Sequence, residues 1–552
     1  MTVDRITPRR IEARRRPCAA EPRLTDPAAT THVNTLTVDA ITAYAAEVAP
    51  ETGSGTGQNP AARKRKEGIL ASSFWQLTSF LARMSGTFVA GQLIFRFGGG
   101  EAAGKFAVAQ TVAMITYTFM CWGIPNLLTR TLTREPDQAP VWLESTVFLA
   151  LACGALWTAL FVPVWLLCGG GPDTGTAVAL SIMASAFDAV GRLVFSAFWA
   201  FDRMRLEALA TWIQELTFLV SAVVILELRR GPAIVLVAFW LTRVLGAAVG
   251  WYHACRLTRR LLVPRPHGRF LVPLFRGALT FAAGDVGSTL YTRQGWLVLE
   301  AVKGTAAVGL YNVGASLVFQ LNILARMINN AIFPRMARAW PARPATLCGL
   351  RDVAMRAQGV LGVPLAVGGA LVSGQLLVFM GGHKAAPAAH CMMVLALVIP
   401  VRMLSHTIGT AMTAVNHQRE RSTTTMWAVF VNLGASLALV PRFSYDGAAS
   451  ATLITETFLL GVNATQLRGW IGASALSGAL ATPALATIPM ALGLLASQHW
   501  PFPARMVLAA VLYTPTLIGV FLWQRSRSTG KAVSISKNSV KASVSGYLKA
   551  AS

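Results

Sequence analysis

The sequence predicts an all-α membrane protein that crosses the bilayer about fourteen times, and three observations carry that prediction. Hydrophobic residues make up 54% of the 552-residue chain and charged residues only 13%, with a mean hydropathy of +0.51, a composition soluble domains do not reach. Between residues 69 and 524 the apolar residues gather into roughly fourteen segments of about 20 residues, each able to span about 30 Å of hydrocarbon as a helix. The segments are continuously apolar, whereas strands of a membrane barrel alternate with a period of two.

The elements follow in order. Residues 1–66 are polar, carry basic runs at Arg14, Arg15, Arg16 and at Arg63, Lys64, Arg65, Lys66, and lack the apolar density of a core. They read as a disordered basic cytoplasmic arm. The apolar stretch that begins at Ile69 is too long for a secretory signal and has no cleavage-like end, so the arm reads as retained, or as the product of a wrongly assigned start codon. Helices centred near residues 82, 115, 152, 188, 217 and 242 form a first six-helix half, 67–260, and those near 286, 320, 364, 400, 430 and 456 form a second, 261–469. Centres near 483 and 513 mark a C-terminal hairpin, 470–525, and a basic cytoplasmic tail occupies 526–552.

The loops give the expected orientation. Arg256, Arg259, Arg260, Arg265 and Arg269 follow helix 6, and Arg335, Arg338, Arg343 and Arg351 follow helix 8; such clusters belong in the cytoplasm. Loops after helices 2, 4 and 10 add Arg130, Arg134, Arg203, Arg205, Arg419 and Arg421, while the CGGGPDTG loop after helix 3 has no cation. Both termini are then cytoplasmic, with Arg229 and Arg230 after helix 5 as one exception. This alternation, with the basic tails, accounts for a formal charge of +25 without nucleic acid as a partner.

The chain contains a repeat. GKFAVAQTVAMI from Gly104 aligns with GLYNVGASLVFQ from Gly309, and IPNLLTR and IFPRMAR follow at nearly the same distance. The unit is about 205 residues and six helices; an even number of crossings leaves both copies in one orientation, as parallel halves around a central cavity.

Helix 1, then FGGGEAAGKFAVAQ, then a Pro and Arg closing helix 2, together resemble the polysaccharide and oligosaccharidyl-lipid flippases of the multidrug/oligosaccharidyl-lipid/polysaccharide (MOP) exporter superfamily. Helix 7 with LYTRQGWLVLEAVKGTAAVGLYNVGASL and the following INNAIFPRMAR are similar to the second half of these proteins. The resemblance covers about residues 69–470, and the last two helices extend beyond a twelve-helix core. It implies translocation of an undecaprenyl-pyrophosphate-linked oligosaccharide by alternating access across the bacterial inner membrane, for O-antigen, capsule or exopolysaccharide. The implied partners are that lipid-linked substrate, membrane lipids and other polysaccharide-assembly membrane proteins.

Nine ionisable residues fall in or near the hydrocarbon: Arg83, Asp188, Glu215, Arg243, Asp285, Arg293, Arg326, Arg402 and Glu456. Each costs about 2.5–3.5 kcal/mol at mid-bilayer, so most must face a wet cavity or one another. Arg83, Arg293, Arg326, Arg243 and Arg402 are expected to bind substrate, with Arg83 and Arg293 holding a pyrophosphate because guanidinium grips phosphate oxygens bidentately. Asp285 and Arg293 on helix 7 lie about 12 Å and about 80° apart, so one cavity could see both. Asp285, Glu215, Glu456 and Asp188 are candidates to bind a coupling proton or sodium ion; Asp188 also stands four residues before Arg192, where an ion pair is expected.

Other signals carry no chemistry. GGEAAGK at 99–105 has the glycine and lysine spacing of a phosphate-binding loop, but Phe106 replaces the magnesium-binding hydroxyl and no strand precedes it. His390 and His406 have no partner ligand, and the seven cysteines form no CxxC pair, so they read as structural. Nothing implies a prosthetic group. Rival readings are a cation-coupled drug exporter of the same superfamily, a peptidoglycan-precursor flippase, and a sugar transporter of the major facilitator type, whose Gly motif TRTLTREPDQAP lacks. A membrane polymerase or glycosyltransferase would need a large periplasmic loop or an acidic catalytic motif, and the loops here are short.

Overall fold

The computed structural model describes residues 69–167, 172–228, 232–467 and 473–522. The basic arm and tail, Arg229, Arg230 and the 169–171 glycine run lie outside them. The described residues are helical almost throughout. Helix α1 spans Ile69–Cys121 but folds back at Gly99, where φ 78 and ψ −173 suit a residue without Cβ. We call residues 69–98 and 100–121 its two limbs. After Trp122 and Gly123, α2 (Ile124–Arg134) extends the second limb, with proline in its first turn. The half is completed by α3 (Ala139–Leu167), α4 (Pro172–Ala200), α5 (Met204–Glu227) and α6 (Pro232–Thr258).

The second half repeats the pattern. It comprises α7 (Gly268–Lys303), α8 (Thr305–Gln320), α9 (Asn322–Ala339), α10 (Pro344–Leu371), the short α11 (Ser373–Gly381), α12 (Ala389–Ala414) and α13 (Gln418–Gln466). Helix α13 folds back at Ser444 as α1 does at Gly99. The hairpin is α14 (Ala473–Ala496) and α15 (Phe502–Leu522). Among the described residues, ten helical segments are long and apolar enough to cross a membrane one by one. The two limbs of α1, the more polar α7 and the fold in α13 supply the remaining crossings, giving six per half and two in the hairpin.

The reversals sort onto two faces. On one, the chain turns at Gly99, Gly304 and Gly382, all with φ near 80, and at Ser444. On the other, it turns at Asp202, Arg259 and Asn416, beside most of the loop arginines. We call these the glycine face and the arginine face. Asp202 and Asn416 each take positive φ after a helix. Arg203 N–H then donates to Phe198 O at 2.7 Å and His417 N–H to Met412 O at 2.8 Å, which caps the last turns as Schellman motifs. Gly99 and Gly304 stand at the repeat spacing and share one backbone conformation.

Lipid is as apolar as leucine, so helices here associate by close packing and polar contacts rather than by the hydrophobic effect. Small residues do much of it: a Cβ on Gly154 of α3 would overlap Ala186 of α4, and one on Gly359 of α10 would overlap the carbonyl of Ala479 of α14. One cluster, containing Ile94, Phe95, Phe106, Trp296 and Tyr311, spans both halves. Only 6% of α15 is buried; Arg505 ties it down by donating to Gln375 Oε1 and to Leu494 O, both at 2.7 Å.

Candidate functional site: arginines between the halves

The interior charges separate into three paired groups and one set without acid partners. In the first group, Arg83 of α1 donates to Glu207 Oε1 at 3.2 Å and to Thr211 Oγ1 at 3.3 Å, with its guanidinium over the Phe195 ring. Trp199 N–H caps the second carboxylate oxygen. Arg83 keeps a third of its side chain exposed while Glu207 is buried. The sequence reading missed Glu207 because it falls in the first turn of α5, next to arginines read as a loop.

The second group is sealed. Arg243 of α6 reaches Glu215 of α5 through both terminal nitrogens, at 2.6 and 3.2 Å, and the two side chains are 3% and 2% exposed. A pair so enclosed holds α5 to α6 and offers nothing to a substrate in this conformation. Gly86 and Gly246 make room, since a Cβ on either would overlap Glu215 and Gln214 respectively. Asp188 lies 3.6 Å from Arg243 and accepts from Gln214 at 3.4 Å. The expected pairing of Asp188 with Arg192 is therefore corrected: α4 turns the acid toward α6, while Arg192 stacks 4.3 Å from the Trp199 ring.

The third group joins α12 to α13. Arg402 lies 3.5 Å from Glu456 with both side chains buried and its guanidinium 4.5 Å from the Phe319 ring. The ion pair is loosely made, since Arg402 Nε and Nη1 and Glu456 Oε1 have no hydrogen bond. Tyr291, Thr292, Asn432, Thr452 and Thr455 surround it in a small pocket.

Among the described residues, Arg192, Arg293, Arg326 and Arg421 have no acid within ion-pair distance. Arg293 of α7 stacks 5.1 Å from the Trp296 ring, Arg421 of α13 donates to Thr413 Oγ1 at 2.9 Å, and Arg326 of α9 is exposed. Their fields overlap: Arg402 repels both Arg293 and Arg326, and Arg192 of the first half acts on Arg326 of the second. Asp285, also exposed, feels Arg192 and Arg421. Arg192 of α4 is thus near enough for its charge to act across the halves on Arg326 of α9 and Asp285 of α7, and among these interacting groups arginines outnumber acids. Arg83 and Arg293, expected together, sit in different neighbourhoods, the first with Glu207 and the second near Arg402. Arg421 was legible only as a loop charge, because α13 begins three residues earlier than the break in hydropathy. No cluster of three or more possible metal ligands occurs among the described residues.

Residues 69–340 match the family model described as polysaccharide biosynthesis protein. No curated protein matches the chain by sequence. Among solved structures, the lipid II flippase MurJ in an inward closed conformation superposes with a TM-score of 0.65 at 11% identity, over 80% of this chain and 98% of that one. An inward-facing multidrug resistance MATE family transporter of the MOP superfamily gives 0.56 at 14% identity, over 71% and 94%. A MOP superfamily transporter from Pyrococcus furiosus, described as having a binding pocket of reversed polarity, gives 0.52 at 10% identity, over 75% and 98%. These neighbours are transporters and flippases, and the two-half architecture of this chain is theirs. The fold that the resemblance to the MOP superfamily implies is the fold these neighbours share.

Proposed function

For a multi-pass membrane protein with the MOP exporter fold and a match to the polysaccharide biosynthesis family over residues 69–340, we propose that the cargo is an undecaprenyl-pyrophosphate-linked oligosaccharide, carried across the bacterial inner membrane for surface polysaccharide assembly. The observation that carries this reading is the set of arginines without acid partners between the halves. An uncompensated guanidinium in a membrane interior is expensive, and an anionic cargo repays that cost on arrival.

Arg293 and Arg326 hold the pyrophosphate, each able to present two N–H donors to phosphate oxygens. Arg192 and Arg421 extend the positive surface on either side of Asp285. The glycan lies in the aqueous space, and the polyprenyl chain stays in lipid, where its transfer costs nothing. The arginine face is cytoplasmic by the positive-inside bias, so substrate enters there. Glu456 and Asp285 are the acids proposed to exchange the coupling ion; Glu215 is enclosed and Asp188 shares Arg243 with it.

Proteoliposomes carrying a fluorescent undecaprenyl-pyrophosphate oligosaccharide test the reading through the leaflet of the label. Protein-dependent movement to the opposite leaflet is expected, and Arg293→Ala should weaken half-saturation about tenfold to a hundredfold, the value of one or two charged hydrogen bonds. No movement by intact protein across several glycans would end the proposal and shift weight to a drug exporter of the same superfamily.

A further inference from the structure

We propose that His406 of α12 is a further cargo-binding residue, and that it takes up a proton together with the anionic cargo that the neighbouring arginines attract. The inference deepens the transport reading and rests on it, since it needs an anion to arrive among those arginines.

His406 belongs to one face of α12. Arg402, His406, Gly409 and Thr413 follow one another at helical spacing, so they line up along the helix. Leu404 and Ile408, which cluster with Met355 and Leu347 of α10, lie on the opposite side. Helix α10, with Arg351, Asp352 and Arg356, therefore stands behind α12 as seen from His406.

Arg421 of α13 lies across the His406 face. It donates to Thr413 Oγ1 at 2.9 Å, and a Cβ on Gly409 would stand 3.0 Å from its Nε and 3.4 Å from its Cζ. The missing side chain at 409 makes room for the guanidinium about one turn from His406. Helix α9 is held alongside by Thr407, which donates to Asn329 Oδ1 at 3.1 Å, and Arg326 stands one turn before Asn329. Arg402 completes the set one turn away on α12 itself, with Glu456 of α13 3.5 Å from it. The charges of Arg402, Arg326 and Arg421 all act on His406.

The ring itself is uncommitted. His406 is half-buried, and among the described residues no group hydrogen-bonds to either ring nitrogen; Thr410 donates to its backbone carbonyl instead. A histidine packed for structure alone, as the sequence reads this one, ordinarily spends its N–H on a carbonyl or hydroxyl. Here both nitrogens are left for a ligand, beside three guanidinium groups.

Charge decides the kind of ligand. A proton on the imidazole would add a fourth positive charge to three that cannot be given up. A pyrophosphate reverses that balance, because its oxygens neutralise the guanidinium groups and accept from both N–H groups of an imidazolium. Cargo and proton therefore favour each other's binding reciprocally. Arginine supplies charge at all times, whereas His406 supplies it only with the cargo, which spares the empty protein one more uncompensated charge in the membrane interior. This proton is distinct from the coupling ion assigned to Glu456 and Asp285, since the cargo's own charge holds it.

Calorimetry on the full-length protein in detergent tests this, with a dibutyl diester of pyrophosphate as the probe, because such a diester has no titration of its own near neutral pH. Binding heats in two buffers of different ionisation enthalpy give the number of protons taken up. The parent should take up about one proton per diester and bind about tenfold more weakly for each unit of pH above neutral. His406→Gln keeps a hydrogen-bonding amide but cannot titrate, so it should take up none and its affinity should not vary with pH. A parent that binds the diester without proton uptake, or does not bind it at all, would overturn the proposal even should His406→Gln fail to fold. Undiminished uptake by His406→Gln would overturn it too, by giving the proton to another group. The glycan assay separates this from the cargo reading. A label that never changes leaflet, with the diester and its proton binding as expected, would sink the lipid-linked cargo and leave His406 standing; a label that moves while the diester binds without a proton would do the reverse.

Discussion

Arg243 shows how one side chain serves as structure where the composition of a helix reads it as function. It satisfies Glu215 through two hydrogen bonds and lies near Asp188 as well, so deleting it strands a buried carboxylate. Arg243→Ala should cost about 3–5 kcal/mol, the usual consequence of breaking a buried pair, and should appear as a lowered melting temperature in detergent. Arg243→Met combined with Glu215→Leu should cost less than Arg243→Ala alone, because no charge then remains unpaired between α5 and α6; an equal or larger loss would mean the pair does more than hold those helices. Arg293 is the contrary case. It has no acid to strand, so Arg293→Ala should leave the unfolding free energy within about 1 kcal/mol of the parent while weakening transport, and it is that dissociation between stability and activity which marks a substrate-facing charge.

Helices and their ends obey more local rules. Asp202 and Asn416 occupy left-handed positions that Asn and Asp tolerate better than most residues, and Gly99 and Gly304 occupy positions open chiefly to glycine. Ser444 breaks this pattern, with φ 53 and ψ −130 at the fold within α13, a conformation that strains any residue with a Cβ. Ser444→Gly should therefore stabilise the protein by about 1 kcal/mol, read as a higher unfolding temperature, and a fall instead would show that the hydroxyl contributes more than the backbone strain costs. The helices themselves were legible because a run of about 20 apolar residues has one stable conformation in hydrocarbon. Their ends were less so: α13 carries Arg421 four residues into the helix, and α5 carries Glu207 in its first turn, both hidden by neighbouring loop charges.

For the whole molecule the proposed transport is directional movement, which needs an energy source. Glu456 is buried beside Arg402 with one oxygen lacking a hydrogen bond, an arrangement in which a proton can be gained without dismantling a network. If the halves are coupled through it, collapsing the ion gradient should stop glycan movement in parent proteoliposomes, and Glu456→Gln should slow transport while abolishing its response to the gradient. Gradient-dependent transport that persists in Glu456→Gln would move the coupling role to Asp285. The hairpin is peripheral to the two halves: α15 is scarcely buried and is held by Arg505, by Tyr513 donating to Val360 O at 2.7 Å, by the Phe379–Phe502 ring contact and by packing of Met506 and Leu512 near Met490 and Leu494.

The sequence by itself determined the membrane setting, the number of crossings, the repeat and the list of costly interior charges, because each follows from local composition and spacing along one chain. Gly104 and Gly309 were visible as equivalent positions of that repeat, but nothing in a linear alignment says that equivalents touch. Only the tertiary structure decided that they pack against each other's first turns, that Asp188 serves Arg243 rather than Arg192, and that Arg192, Arg293, Arg326 and Arg421 go without acids while Arg83, Arg243 and Arg402 do not. Coulombic and steric partners are chosen across helices far apart in sequence, and rotation of each helix about its axis, which hydropathy leaves free, sets which charge meets which.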